Sequence, residues 1–347
     1  MTTVNHQILL HSRPRGEPSL DNFKLVEAPL PEPADGQVLV RHHYLSLDPY
    51  MRGRMNDGKS YAAPQPLGEV MIGGTVGEVV ASNHPGFQAG DQVVGMGGWQ
   101  EYALVNAAQS GALRKVGSAG AASPHPLSAF LGVLGMPGVT AWYGVHQIIA
   151  PRVGDTLVVS AAAGAVGATV GQLAKAMGCR VVGLAGGPDK CSLVVDDFGF
   201  DACIDYKAHG DLKSLASALR AACPKGIDGA FENVGGLMLD AVMLCANAFS
   251  RVALCGMISG YNGEPIPMAA PQLILTNRMK LQGFIVSEHM DCWPEALKVL
   301  GVGVASGQIK YRETVAQGLA AAPEAFLGLL KGRNVGKQVV QLVDGGK

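Results

Sequence analysis

The sequence predicts an α/β protein: a doubly wound parallel sheet joined to a second, β-rich domain. Three observations carry this expectation. A strand, a glycine turn and a helix follow one another over residues 156–177, TLVVSAAAGAVGATVGQLAKAM. Further strand–helix units repeat after it, which is the pattern of a parallel sheet. Before residue 134 the texture differs, with short β-patterned runs separated by Gly, Pro and Asp.

The β-rich part contains residues 37–41 (QVLVR), 73–81 (GGTVGEVVA), 91–95 (DQVVG) and 100–105 (QEYALV). Many short strands with glycine turns suggest a barrel-like or folded sheet. The texture changes near residues 134–138 (LGMPG). Strand–helix units are then expected over residues 156–177, 180–198, 202–222 and 229–248, with a strand at 251–258. A helix at 324–330 and a strand at 337–343 (KQVVQLV) end the chain. This last pair either closes the second domain or returns to the first.

Composition narrows the class. The chain has 347 residues, 48% of them hydrophobic, enough for two domains. Its formal net charge is −1. No basic block suggests a nucleic acid or a membrane surface as partner. The first residues, MTTVNHQILLHSRPRG, lack the apolar core of a signal peptide. No apolar run is long enough for a membrane span, so a cytoplasmic protein is expected. The seven cysteines begin at Cys179, and no two form a C-x-x-C pair. Their wide spacing fits neither a disulfide framework nor a zinc cluster, and buried thiols in a reducing compartment are expected.

The unit at 156–177 carries the first chemistry. Leu157, Val158 and Val159 form a buried β-run, and Gly164 and Gly167 follow in a loop of small residues. Val166, Val170, Leu173, Ala174 and Met177 then recur at helical spacing. Small residues let the backbone approach a pyrophosphate, and a helix N-terminus offers N–H groups and a positive dipole end. The motif is A-x-x-G-x-x-G, from Ala161 through Gly164 to Gly167, and such loops also serve merely to pack helices on sheets. The expected strand ends at 160–167, 185–190, 233–236 and 256–261 are all rich in Gly, Ser or Asn, as a dinucleotide cleft requires. A site for NAD places Asp or Glu about twenty residues beyond the glycines, on the ribose 2′-OH. Here that turn reads Gly183-Leu184-Ala185-Gly186-Gly187, with Lys190 following. Room for a 2′-phosphate beside a cation points to NADP(H).

Several motifs together identify a resemblance. They are LDPYMRGRM at 47–55, GMPGVTA at 135–141, AAAGAVG at 161–167, ENVGG at 232–236, CGMISGYN at 255–262 and NVGK at 334–337. On these the chain resembles the zinc-independent medium-chain dehydrogenase/reductases. It most resembles the leukotriene B4 dehydrogenase, prostaglandin reductase and 2-alkenal (curcumin-type) reductase branch. The resemblance implies a GroES-like catalytic domain of residues 1–134 and 311–347, with a Rossmann domain of residues 135–310 between. It implies NADPH, a phosphate loop at Ala165, Val166, Gly167 and Ala168, and 2′-phosphate contacts at Lys190 and Tyr206. Further cofactor contacts are implied at Asn233, at residues 255–261 (Cys255, Gly256, Ser259 and Tyr261 among them), at Phe284, Ile285 and Val286, and at Asn334. A homodimer is also implied.

Zinc-dependent relatives need a Cys, a His within Gly-His-Glu and another Cys or His. This chain has no Cys before 179, and Gly68-Glu69 lacks the intervening His. Of nine histidines only His42 and His43 are close together, and strand alternation points them to opposite faces. No metal is therefore expected. Reduction of a conjugated C=C then suits the chain: hydride reaches the β-carbon of an enone or enal, and charge develops on the carbonyl oxygen. A donor aimed at that oxygen contributes roughly 3 kcal/mol. Tyr261 is the first candidate donor and Tyr50 the second, with Arg52 beside it as a substrate-binding candidate. A loop-anchoring Tyr261 and a structural turn at 48–54 are the competing readings. Tyr61, Trp99, Met136 and Trp142 are either pocket wall or core, and His84, His125 and His289 are expected to be solvated. The competing functions are an NADPH:quinone oxidoreductase of the same superfamily and a non-catalytic NADP(H)-binding protein.

Overall fold

The computed structural model describes residues 4–343 except Ser110 and Glu264. The chain divides into two compact units, Met1–Gly132 with Glu313–Lys347, and Val133–Arg312.

In the first unit β1 (Val4–Leu10) pairs antiparallel with β2 (Phe23–Pro29). β3 (Gln37–Ser46) is the spine of a larger sheet and leads into the short helix α1 (Tyr50–Arg54). β4 (Thr75–Ser82), β5 (Gln92–Gly95), β6 (Tyr102–Asn106) and β7 (Leu113–Gly117) follow. β1 and β2 carry no clean turn signal between them, so local pattern does not announce them. Gly77 lies where β3 bulges: a Cβ there would sit 2.0 Å from the Arg41 carbonyl oxygen.

The second unit opens with α2 (Met136–Tyr143), and then strands alternate with helices. They are β8 (Thr156–Ser160), α3 (Ala165–Ala176), β9 (Arg180–Ala185), α4 (Pro188–Asp196), β10 (Ala202–Asp205) and α5 (Leu212–Ala222). The chain continues through β11 (Ile227–Glu232), α6 (Gly236–Leu244), β12 (Ala246–Leu254), α7 (Gln272–Thr276), β13 (Lys280–Gly283) and α8 (Trp293–Ala305). All strands pair parallel in the order β10-β9-β8-β11-β12-β13. This is a doubly wound α/β sheet. The order reverses between β8 and β11, so the crevice beyond their C-terminal ends is the place for a ligand.

One expected boundary moves. Residues 251–258 read as a strand, whereas β12 already starts at Ala246 and ends at Leu254. Beyond it the Cys255 and Gly256 amides turn aside to the Glu232 carbonyl, at 2.9 and 3.2 Å, which ends the ladder.

The chain then re-enters the first unit as β14 (Glu313–Gln317), α9 (Ala322–Leu330) and β15 (Lys337–Gln341). β15 pairs antiparallel with β3, and β14 parallel with β15. Phe326 of α9 completes the core, edge-on to Trp99 at 5.6 Å and to Phe23 at 6.2 Å, while Phe23 stacks on the indole at 5.5 Å. Among the described residues no helix is long and apolar enough to cross a membrane.

Candidate cofactor and active site

At the end of β8 the chain turns through Ala161, which has φ of +49°. Gly164 caps α3 without a side-chain acceptor. The first-turn amides, at Ala165, Val166 and Gly167, have no acceptor within the helix. A Cβ on Gly167 would lie 2.4 Å from the Ala161 carbonyl oxygen, so only glycine lets α3 sit this close to β8. Ala168, the next residue of α3, is buried. The small-residue cradle and open helix end fit a dinucleotide pyrophosphate.

At the end of β9 a Cβ on Gly186 would meet the Tyr206 hydroxyl and the Lys207 Cε, each at 3.0 Å. Asp205 holds the turn together, accepting from the Gly187 amide at 2.8 Å and the Lys207 amide at 3.0 Å. Half-buried Lys190 lies on the first turn of α4. Burial pulls its pKa below the usual lysine value, and the nearby charge of Lys207 adds to this. Lys190 and Tyr206 thus come together with a second cation, Lys207. Sequence reasoning missed Lys207; its only signal was its place next to Tyr206.

The ends of β8, β11 and β12 are joined by hydrogen bonds. The Asn233 amide donates to Ser160 Oγ at 2.8 Å, and Asn233 Nδ2 to the Ser160 carbonyl at 2.8 Å. Ser160 Oγ donates to Glu232 Oε1 at 2.7 Å. Burial pushes the Glu232 carboxyl up, opposed by hydrogen bonds from Gly235, Ser160, Val234 and Asn233. Ser259 Oγ donates to the Val234 carbonyl at 2.6 Å. The Tyr261 hydroxyl folds back to within 3.0 Å of where a Gly256 Cβ would stand. The Cys255 thiol is pushed up to about 12, by burial and then by Glu232, so it stays protonated. The pairing of Ser160 with Glu232 carried no sequence signal, because they lie 72 residues apart.

After β13, Phe284 stacks on Tyr143 at 5.3 Å and stands edge-on to Phe231 at 6.2 Å. The Val286 carbonyl accepts from Trp293 Nε1 at 3.4 Å, and Ile285 is half-buried between Phe284 and Val286. His289, expected to be solvated, is half-buried, and its ring stacks on Tyr143 at 4.2 Å. Trp142 is core, 2% exposed.

Tyr50, Arg52 and Asn334 lie in the first unit. Tyr50 opens α1, and burial, followed by the Asp48 charge, pushes its phenol well up, so it remains a neutral donor. Arg52 is 1% exposed. Its guanidinium donates to Asn56 Oδ1 at 2.6 Å and the Gly16 carbonyl at 2.7 Å. Those bonds pin the residue 16 loop to α1. Asp48 accepts from Ser46 Oγ and pairs with Lys337 Nζ at 3.1 Å. Asn334 Nδ2 donates to the Gly336 carbonyl at 2.8 Å. Trp99 is core, while Tyr61 is exposed. His42 is buried and His43 half-buried. Among the described residues no group of three or more His, Cys, Asp or Glu is placed to hold a metal ion.

Comparison with known proteins places this geometry. Residues 6–113 match the N-terminal domain of oxidoreductase, and residues 165–301 match the zinc-binding dehydrogenase domain. The chain is 47% identical to the NADPH-dependent curcumin reductase of Escherichia coli, over 97% of each protein. It is 41% identical to the NADP(+)-dependent 2-alkenal reductase of Nicotiana tabacum, again over 97% of each. The crystal structure of CurA from Vibrio vulnificus in complex with NADPH superposes with a TM-score of 0.89 at 46% identity, covering 98% of this chain and 99% of that one. The chain therefore belongs to the medium-chain dehydrogenase/reductase family, in its branch of curcumin, 2-alkenal and prostaglandin reductases.

Proposed function

We propose that this protein reduces the conjugated C=C bond of enones and enals with NADPH. The observation that carries the reading is the crevice where strand order reverses, lined by the Gly164–Gly167 turn, Asn233 and the residue 255–261 loop, with Lys190, Tyr206 and Lys207 around Gly186. When bound there, the nicotinamide supplies the hydride. The first-turn amides of α3 hold the pyrophosphate, and Lys190, Tyr206 and Lys207 take the 2′-phosphate. Asn233, Cys255, Gly256, Ser259, Phe284, Ile285, Val286 and Asn334 complete the cofactor contacts. Tyr261 is the first donor toward the charge that develops on the substrate oxygen, and Tyr50 the second. Burial holds the Tyr50 phenol neutral, so it donates without losing a proton at neutral pH. Arg52 is the substrate-binding candidate beside Tyr50, and its bonds to Asn56 and Gly16 support a role in holding α1 in place.

The relatives named as curcumin and 2-alkenal reductases support this substrate class. The test is to incubate the protein with NADPH and a trans-2-alkenal, follow absorbance at 340 nm and identify the product. Saturated aldehyde is expected. Allylic alcohol would mean carbonyl reduction and would overturn the reading. A homodimer is the proposed assembly, checked by light scattering.

A further inference from the structure

We propose that Glu232 is a positioning residue for the cofactor: its buried carboxylate holds the loops after β8, β11 and β12 in the arrangement that receives NADPH. The proposal rests on the reading that these loops bind the cofactor.

Glu232 is the last residue of β11, at the point where strand order reverses, and is 1% exposed. A buried carboxylate is costly unless hydrogen bonds satisfy it, and the bonds of Glu232 show what it holds together. Oε1 accepts from Ser160 Oγ at 2.7 Å, from the Val234 amide at 2.6 Å and from the Gly235 amide at 2.8 Å. The first bond reaches the end of β8. The other two shape the turn into α6, where Gly235 has φ of +77°. The Glu232 main chain reaches the third loop, its carbonyl accepting from Cys255 and Gly256. Ser160 also accepts from the Asn233 amide, so one hydroxyl relays the position of Glu232 to Asn233. A satisfied buried polar network rigidifies what it touches. Here it touches three loops in one crevice.

Substitutions with direct cofactor titration test this. Ser160→Ala and Glu232→Ala are each expected to raise the Kd for NADPH and for NADH by about tenfold, because buried donors or acceptors lose their partner. The ratio of the two constants stays at the parent value. The double variant loses less than the product of the singles, since both act on one network. Glu232→Gln keeps an oxygen at the accepting position and recovers most of the affinity. Melting temperatures show which variants are folded, and Ser160→Ala serves if Glu232→Ala is not. A folded Ser160→Ala protein that binds both cofactors like the parent overturns the proposal, as does a loss confined to NADPH. Lys190→Ala, run alongside, tests the 2′-phosphate reading separately, because it changes the ratio. A parent protein that binds neither cofactor overturns the cofactor reading and this proposal with it.

Discussion

Lys190 and Lys207 place two cations about a turn of small residues at the end of β9, with the Tyr206 hydroxyl beside them. An anion there relieves their repulsion. Lys190→Ala is expected to weaken NADPH binding about tenfold and to leave NADH little changed, read by direct titration. Tyr261→Phe removes only a hydroxyl. If Tyr261 donates to the developing charge, kcat falls roughly 10²-fold while the NADPH Kd holds, which single-turnover kinetics resolve. His42 makes a different prediction, about stability. It is fully buried, with Nδ1 bonded to the Gln100 carbonyl at 2.8 Å. Burial lowers its pKa from 6.5 to about 4. Above the unfolded value both states are neutral and the contribution is complete. As pH falls toward 4 the unfolded chain takes up a proton that the native state refuses, and about 3 kcal/mol is lost. His6 has the opposite sign, because its hydrogen bond to Glu101 raises its pKa and adds stability on the acid side. Urea titrations from pH 7 to pH 4, compared with His42→Asn, isolate the His42 share; an unchanged difference across that range would refute it.

At the scale of elements, the approach of α3 to β8 depends on one missing side chain. A Cβ at Gly167 would meet backbone, the Ala161 carbonyl oxygen, which no rotamer change relieves. Gly167→Ala therefore moves the helix N-terminus or strains the turn. A loss of about 1–3 kcal/mol is expected in urea denaturation, with NADPH binding weakened at the same time. Unchanged denaturation would show that the turn yields easily. The turn and the helix were legible because their signals are local: small residues, then apolar residues at helical spacing. The extent of β12 was not, because its end is set by the Glu232 carbonyl drawing off two amides. The β1–β2 ribbon was also missed, since its strands are joined by a long connection without a compact turn.

For the whole molecule, the chain leaves the first unit at Gly132 and returns at Glu313. Lys337 secures the return. It is 4% exposed, and its Nζ donates to the Leu47 carbonyl at 2.6 Å and the Gln338 carbonyl at 3.0 Å while pairing with Asp48. Lys337→Met leaves the Asp48 charge buried without its partner. Such a change is expected to destabilise by about 3–5 kcal/mol, lowering the melting temperature by several degrees. Lys337→Met/Asp48→Asn recovers part of the loss, which a double-mutant cycle measures.

The sequence by itself determined the fold class and the glycine turn at residues 164–167. It also singled out Lys190. These rest on short-range preferences: apolar periodicity, the backbone freedom of glycine, and a cation placed a few residues beyond a strand. The resemblance added Tyr206 and Asn233. Only the tertiary structure decided that β15 pairs with β3, that Lys207 joins Lys190, and that Ser160 and Glu232 meet across the crevice. Partners far apart in sequence meet only when the packed sheet brings strand ends together, and no local pattern encodes which end lies beside which.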